Sequence, residues 1–106
     1  MSKPYYEEYA NHAFRFYVRN RNITPSELRG SSNVLNWTAC RDALDTLPDE
    51  DRIIAIMVYM CKSGMVDCVT CVCSEYGLSA NRVWRILNRV TKEFATKRGL
   101  IHNGCD

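Results

Sequence analysis

The sequence predicts an all-α fold, a compact domain of about five helices in which the last two are joined by a tight turn. Apolar residues recur every three or four positions along most of the chain, and Pro, Gly and capping residues divide it into pieces of helical length. No piece alternates as a β-strand would. With 106 residues, we expect one domain covering 1–106, in which 1–47 supply the N-terminal helices.

The first helix is predicted from roughly Pro4 to Asn20, where apolar and aromatic residues fall at helical spacing. We interpret this wide arc as core or as a helix-packing surface, with an exposed dimer interface as the alternative. The arc contains Tyr6, Tyr9, Ala10, Ala13, Phe14, Phe16 and Tyr17.

Thr24-Pro25-Ser26-Glu27 has the pattern of a capping box with Pro at the first helical position, so we expect a short helical turn that stops by Gly30. Ser31 or Ser32 is then predicted to cap a second long helix that runs through Leu47. Its residues available for burial are Val34, Trp37, Thr38, Cys40, Leu44 and Leu47.

Pro48 and the acids Asp49, Glu50 and Asp51 predict another helix start, because carboxylates favour the positive end of the helix dipole. The run Ile53–Cys61 is apolar almost all round, which predicts a central helix. It is too short to span a bilayer, which needs about twenty residues.

The last two helices have the pattern of a helix-turn-helix. Val69, Val72, Cys73 and Tyr76 form one apolar face, with Cys73 as the small residue at the close approach of the two helices. Gly77 is suited to a left-handed cap and Ser79 to the N-cap of the next helix, which we expect to end near Arg98 and Gly99. Its inward face is predicted to contain Val83, Ile86, Val90 and Phe94.

Charge is concentrated at this end of the chain. The net charge is only +2, but the chain from Ser79 onward has six Lys or Arg against two acids, whereas Asp49–Leu78 has five acids against two bases. A basic outward face on the final helix is the charge distribution that DNA contact requires, although a merely solvated face is the alternative.

The remaining composition favours a cytoplasmic protein with no membrane partner. The N-terminus lacks a secretory signal pattern. Six cysteines in a reducing compartment are best explained by packing. Cys68, Cys71 and Cys73, with Cys61, resemble a zinc-site fragment, but on one helix Cys71 and Cys73 point apart, so we expect no metal and no cofactor.

The second half of the chain resembles region four of bacterial sigma factors. The resemblance lies in Leu47-Pro48-Asp49-Glu50-Asp51-Arg52, in the apolar helix with Tyr59 that follows, and in the helix-turn-helix. The whole chain is similar to short sigma-like proteins of bacteria and their mobile elements, through Arg15-Phe16-Tyr17, Asn36-Trp37, Ala39-Cys40 and Lys97–Ile101. Residues before 45 do not resemble the sigma region that melts the promoter. We therefore expect 48–100 to be a sigma-region-four-like portion of a small regulator.

The resemblance implies that the helix starting at Ser79 enters the major groove of double-stranded DNA. The side chains expected near base edges are Ser79, Ala80, Asn81, Arg85 and Asn88. Arg82, Arg89 and Lys92 are expected on phosphates. Trp84 is predicted either to pack on an earlier helix, which we favour, or to press on the DNA. RNA polymerase and a second copy of the chain are further candidate partners.

Two functions other than DNA binding are to be compared with the sequence. In the first, the protein is an interaction module, a homodimer or a polymerase-associated protein, that does not read DNA directly. The second is an enzyme, but His12 and His102 lie near opposite ends of the chain and no motif pairs a nucleophile with a base, so we expect no catalytic residues.

Overall fold

The computed structural model describes residues 4–101 and contains no strand within them, which confirms the all-α class. Within these residues, five α-helices and one short 3₁₀ turn follow one another. Their bounds are α1 Glu7–Arg19, the 3₁₀ turn Pro25–Glu27, α2 Ser31–Asp45, α3 Asp49–Met60, α4 Met65–Tyr76 and α5 Ala80–Lys97.

Helix α1 lies within the predicted span and buries a narrower face than its aromatic content suggests. Ala10, Ala13, Phe14 and Val18 are buried, whereas Tyr9 is 41% exposed. The small residues Ala10 and Ala13 let α1 approach its neighbours closely, and Phe14 fills the space between them. The phenol of Tyr9 reaches over to α2, where it donates to Asn36 Oδ1 at 3.1 Å.

The connection from α1 to α2 confirms the capping box and corrects the predicted start of α2. The backbone N–H of Thr24 donates to Glu27 Oε2 at 3.1 Å. Gly30, rather than Ser31 or Ser32, occupies the N-cap of α2, and its φ of 89° is one that L-residues rarely adopt. The prediction that a serine caps this helix was therefore wrong, since a glycine turn brings both serines into the first turn.

Helix α5, not α3, is the central helix. It packs against α1, α2, α3 and α4, whereas the main contacts of α3 are with α1, α4 and α5. In α3, Ile54, Ala55, Val58 and Tyr59 are buried, but Ile53 is 56% and Met60 54% exposed. The prediction that α3 is the central helix was wrong, because an almost entirely apolar helix sequence does not indicate which of its faces packs against other helices.

The core is one continuous cluster that joins the N-terminal helices to the C-terminal ones. At its centre the ring of Phe14 stacks on Tyr59 with centroids 5.0 Å apart, and it tilts against Phe94 at 5.5 Å. Such aromatic contacts add to the free energy gained by burying the rings. No helix in residues 4–101 is long and apolar enough to cross a bilayer.

Candidate nucleic-acid interface

The turn between α4 and α5 has the predicted conformation. Gly77 ends α4 in the left-handed region, with φ 67° and ψ 36°. The N–H of Leu78 then donates to the carbonyl of Cys73 at 3.0 Å, which satisfies a carbonyl that the end of the helix leaves open. Three residues, Gly77 to Ser79, therefore separate the two helices, as predicted.

The buried face of α4 differs from the predicted one at its end. Cys68, Val69 and Val72 are buried and Cys73 is partly buried, but Tyr76 is 52% exposed. Tyr76 is the last residue of α4, and the chain reverses at Gly77. Leu78 consequently folds back and packs on the core at this end, so the prediction that Tyr76 lies inside was wrong.

Ser79 caps α5 as predicted. Its hydroxyl oxygen accepts a hydrogen bond from the backbone N–H of Arg82 at 3.2 Å, while its own backbone is extended. This interaction satisfies one of the open N–H groups at the start of α5. Ala80, the first residue of the helix, is exposed beside it.

Helix α5 has a buried face and a polar face. The predicted inward residues Val83, Ile86, Val90 and Phe94 are all buried, together with Leu87, Thr91 and Ala95. On the opposite side Asn81, Arg85, Asn88 and Lys92 are exposed at the spacing i, i+4, i+7 and i+11. This spacing aligns the four side chains in one row, which we call the polar row of α5.

Arg82 lies outside the polar row and is held by the start of α3. Its Nη2 is 2.8 Å from Glu50 Oε1 and 3.4 Å from Asp51 Oδ1. These two carboxylates raise the pKa of the Arg82 guanidinium. Both contacts use Nη2, so these carboxylates would compete with a phosphate for Arg82.

Arg89 and Lys92, the other two residues expected on phosphates, differ in their surroundings. Arg89 is exposed, and its Nη2 donates to the carbonyl of Thr46 at 3.4 Å, a long contact. Lys92 is exposed within the polar row. Neither residue is in an ion pair within residues 4–101, so both remain able to contact an anion.

Trp84 packs on earlier helices, the placement favoured from the sequence. Its ring is partly buried against the core. It also lines a groove of about 590 Å³ between the start of α1 and the start of α4. The other residues of this groove are Pro4, Tyr5, Glu7, Glu8, Asn11, His12, Arg15, Gly64, Met65 and Val66.

The four cysteines that resemble a zinc-site fragment do not all gather at one point. Cys68 is buried, Cys71 is exposed and Cys73 is partly buried, while the thiol of Cys61 interacts with that of Cys68. Within residues 4–101 no three His, Cys, Asp or Glu side chains gather in a way that could hold a metal ion. His102 lies outside the described residues.

Sequence patterns did not identify the partners that surround this interface. The acids at the start of α3 were recognised as helix-dipole partners, but their pairing with Arg82 joins residues more than thirty positions apart. Arg15, which reaches from α1 to Ser63 with an Nη2–O distance of 2.6 Å, gave no local signal either. Both contacts depend on how whole helices pack.

No family model matches the chain, and neither the curated proteins nor the solved structures contain a match to it.

Proposed function

We propose that this chain is a sequence-specific DNA-binding protein, a transcription regulator or sigma-like factor that inserts α5 into the major groove. In this proposal it is a binding protein and not an enzyme, and it acts in the cytoplasm, where bacterial DNA is found. The polar row of α5 is the observation that carries the proposal.

The chemistry of the polar row suits base edges. The Arg85 guanidinium can donate two hydrogen bonds to the O6 and N7 atoms of guanine, and the amides of Asn81 and Asn88 can pair with adenine. All three side chains are exposed, and the row contains no acid. Lys92 extends the row by one further turn, where a cation would meet the phosphate backbone.

The resemblance to sigma region four adds a reason to place α5 in the groove, and it suggests RNA polymerase as a partner. A single unit of this size commonly needs a second copy or a larger partner to reach useful specificity. A homodimer is therefore the alternative assembly. The two assemblies predict different DNA sites, a single half-site with polymerase and a palindrome for a homodimer.

The proposal is tested by selecting bound sequences from a random duplex pool and then titrating the selected site with wild-type protein, Arg85→Ala and Lys92→Ala. We expect Arg85→Ala to cost about 1–3 kcal/mol on the selected site and to relax one base preference. Lys92→Ala should weaken binding to all sequences similarly and reduce the salt slope by about 1.

Binding must also fall steeply with salt on every duplex. Equal losses for both variants on every sequence would remove the base-reading role of Arg85. No binding to any duplex at low salt would remove the proposal itself.

An interaction module without DNA readout is the second candidate, and a specific surface favours it. Ile53, Met57 and Met60 lie at i, i+4 and i+7 on α3; the first and last are more than half exposed, and Met57 is partly buried. An apolar row of this kind can receive a partner helix. In that case the selection from random DNA would yield no enriched sequence.

A further inference from the structure

A basic depression lies where the ends of α1 and α3 meet, away from the polar row of α5. It has a volume of about 550 Å³, and four of its lining residues are cations, Arg15, Arg19, Arg21 and Lys62. No carboxylate lines it, and none of the four cations forms an ion pair within residues 4–101. Val18, Tyr59, Met60 and Cys61 complete the wall.

Cations near the ends of helices have a structural role, because they favour the negative end of the helix dipole. Stabilisation of one helix dipole does not require four cations, however. Arg19 and Lys62 are exposed. Their common field would attract a small anion into the depression. The feature that this anion would meet there is the thiol of Cys61.

Cys61 does not stand alone, because the thiol of Cys68 lies beside it behind the wall of the depression. Cys68 Sγ donates to the Ser63 carbonyl at 3.2 Å, and Ser63 also hydrogen-bonds the thiol of Cys61. Arg15 Nη2 lies 3.8 Å from Cys68 Sγ and donates to the same carbonyl. Cys61 is partly exposed, whereas Cys68 is fully buried.

The two thiols differ in acidity. The interaction with Cys68, followed by the hydrogen bond with Ser63, lowers the pKa of Cys61 below its ordinary value of 9.0. Burial and the nearby Cys61 raise the pKa of Cys68 to about 11. Since the thiolate is the nucleophile, Cys61 is the member of the pair suited to attack first.

We propose that Cys61 and Cys68 form a thiol pair that reacts with anionic low-molecular-weight disulfides, in which Cys61 attacks and Cys68 resolves. The basic depression attracts the disulfide, and its open side admits it to Cys61. This activity does not depend on DNA binding, and its test contains no DNA.

The reaction is thiol–disulfide exchange in two steps. The Cys61 thiolate attacks one sulfur of the small disulfide, the S–S bond breaks, and one small thiolate leaves and takes up the proton of Cys68. Cys68 then attacks the Cys61 sulfur, and the second small thiolate leaves and is protonated from solvent. The two protein thiols are oxidised to one disulfide, and the small disulfide is reduced to two thiols.

The test uses the reduced full chain with oxidised glutathione as the anionic disulfide and hydroxyethyl disulfide as the neutral one. The reaction is quenched with acid, and each cysteine is followed by peptide mapping and mass spectrometry. We expect a Cys61–Cys68 disulfide to form before the exposed Cys71 is modified. The rate should rise with pH to a midpoint below 9.0, the ordinary pKa of a thiol.

Variants separate the parts of the proposal. Cys68→Ser should stop at one glutathione on Cys61, and Cys61→Ser should leave only slower modification elsewhere. Arg19→Ala with Lys62→Ala should slow the reaction with glutathione roughly threefold or more and leave the neutral disulfide unaffected. If Cys68→Ser fails to fold, the mapping of the wild-type chain still decides the outcome.

Earlier modification of Cys71, or failure to form the Cys61–Cys68 disulfide, would overturn the thiol pair. Equal rates with the two disulfides at low salt, unchanged by the double substitution, would overturn the role of the basic depression.

Discussion

At the scale of single residues, the Arg82 side chain forms ion pairs within the protein and is also expected to contact a DNA phosphate. It is paired with Glu50 and Asp51 on α3, although it projects from the helix proposed to enter DNA. Pairs of this exposure contribute little to stability. Their larger effect would be on DNA binding. A carboxylate close to the major groove of the DNA repels phosphate, and its ion pair with Arg82 competes with a phosphate contact.

Glu50→Gln should therefore raise DNA affinity about two- to fivefold and increase the salt slope by about 1, because Arg82 becomes available to a phosphate. Binding is measured by titration at several salt concentrations. Glu8→Gln is the matched control, since it removes the same charge from the first turn of α1, and Glu8 forms no ion pair within residues 4–101.

The same gain in Glu8→Gln would mean that net charge alone is responsible. The gain should also disappear when Glu50→Gln is combined with Arg82→Ala, because the double-mutant cycle isolates the interaction of the pair.

At the scale of elements, Gly77 shapes the α4–α5 turn through its backbone conformation. Gly77 has a left-handed conformation, and a Cβ added there would meet nothing within 4 Å. The requirement for glycine is therefore conformational and not steric. Gly64, before α4, has an ordinary φ of −61° and equally open surroundings.

Gly77→Ala should cost about 1–2 kcal/mol in the free energy of unfolding, since an L-residue pays that amount in the left-handed region. Gly64→Ala is the control and should stay within about 0.5 kcal/mol of wild type, because lower entropy of the unfolded chain offsets a poorer N-cap. Urea unfolding followed by circular dichroism measures both. Similar losses at the two positions would contradict a conformational role specific to Gly77.

Local patterns predicted the turn, the cap of α5 and its inward face, because Gly77, Ser79 and the spacing from Val83 to Phe94 act over a few residues. The N-cap of α2 was missed because a left-handed glycine starts that helix where two serines offered the better-known signal. The pairing of Arg82 with its carboxylates could not be predicted, since it follows from the packing of α3 against α5. The sequence pattern grouped Cys61 with three other cysteines, but it could not say that Cys68 alone lies beside it.

At the scale of the whole molecule, Phe14 joins the N-terminal helices to those of the proposed DNA-binding portion. Its ring stacks on Tyr59 of α3 and is tilted against Phe94 of α5, and its side chain is fully buried. The core that surrounds it includes residues from Ala10 to Phe94. Residues 4–101 should therefore unfold as one cooperative unit.

Phe14→Leu should destabilise the protein by about 1–3 kcal/mol and leave a single unfolding transition. Far-UV circular dichroism reports on the helices, and the fluorescence of Trp37 and Trp84 reports on α2 and α5; their midpoints should shift together. Leu35→Ala is the control, because Leu35 is 52% exposed and its loss should change stability by less than about 0.5 kcal/mol. Separate transitions for the two probes would show two independent units.

The hydroxyl of Tyr5 donates to the carbonyl of Leu100, so the two ends of the described chain meet. A short linker in place of the residues beyond 4 and 101 would join them, and new ends could then be opened in the exposed connection between α1 and α2. In such a circular permutant the helices would follow in the order α2, α3, α4, α5 and α1, so α1 would leave the ribosome last instead of first. The sequence order of the helices is thus separable from their arrangement in space.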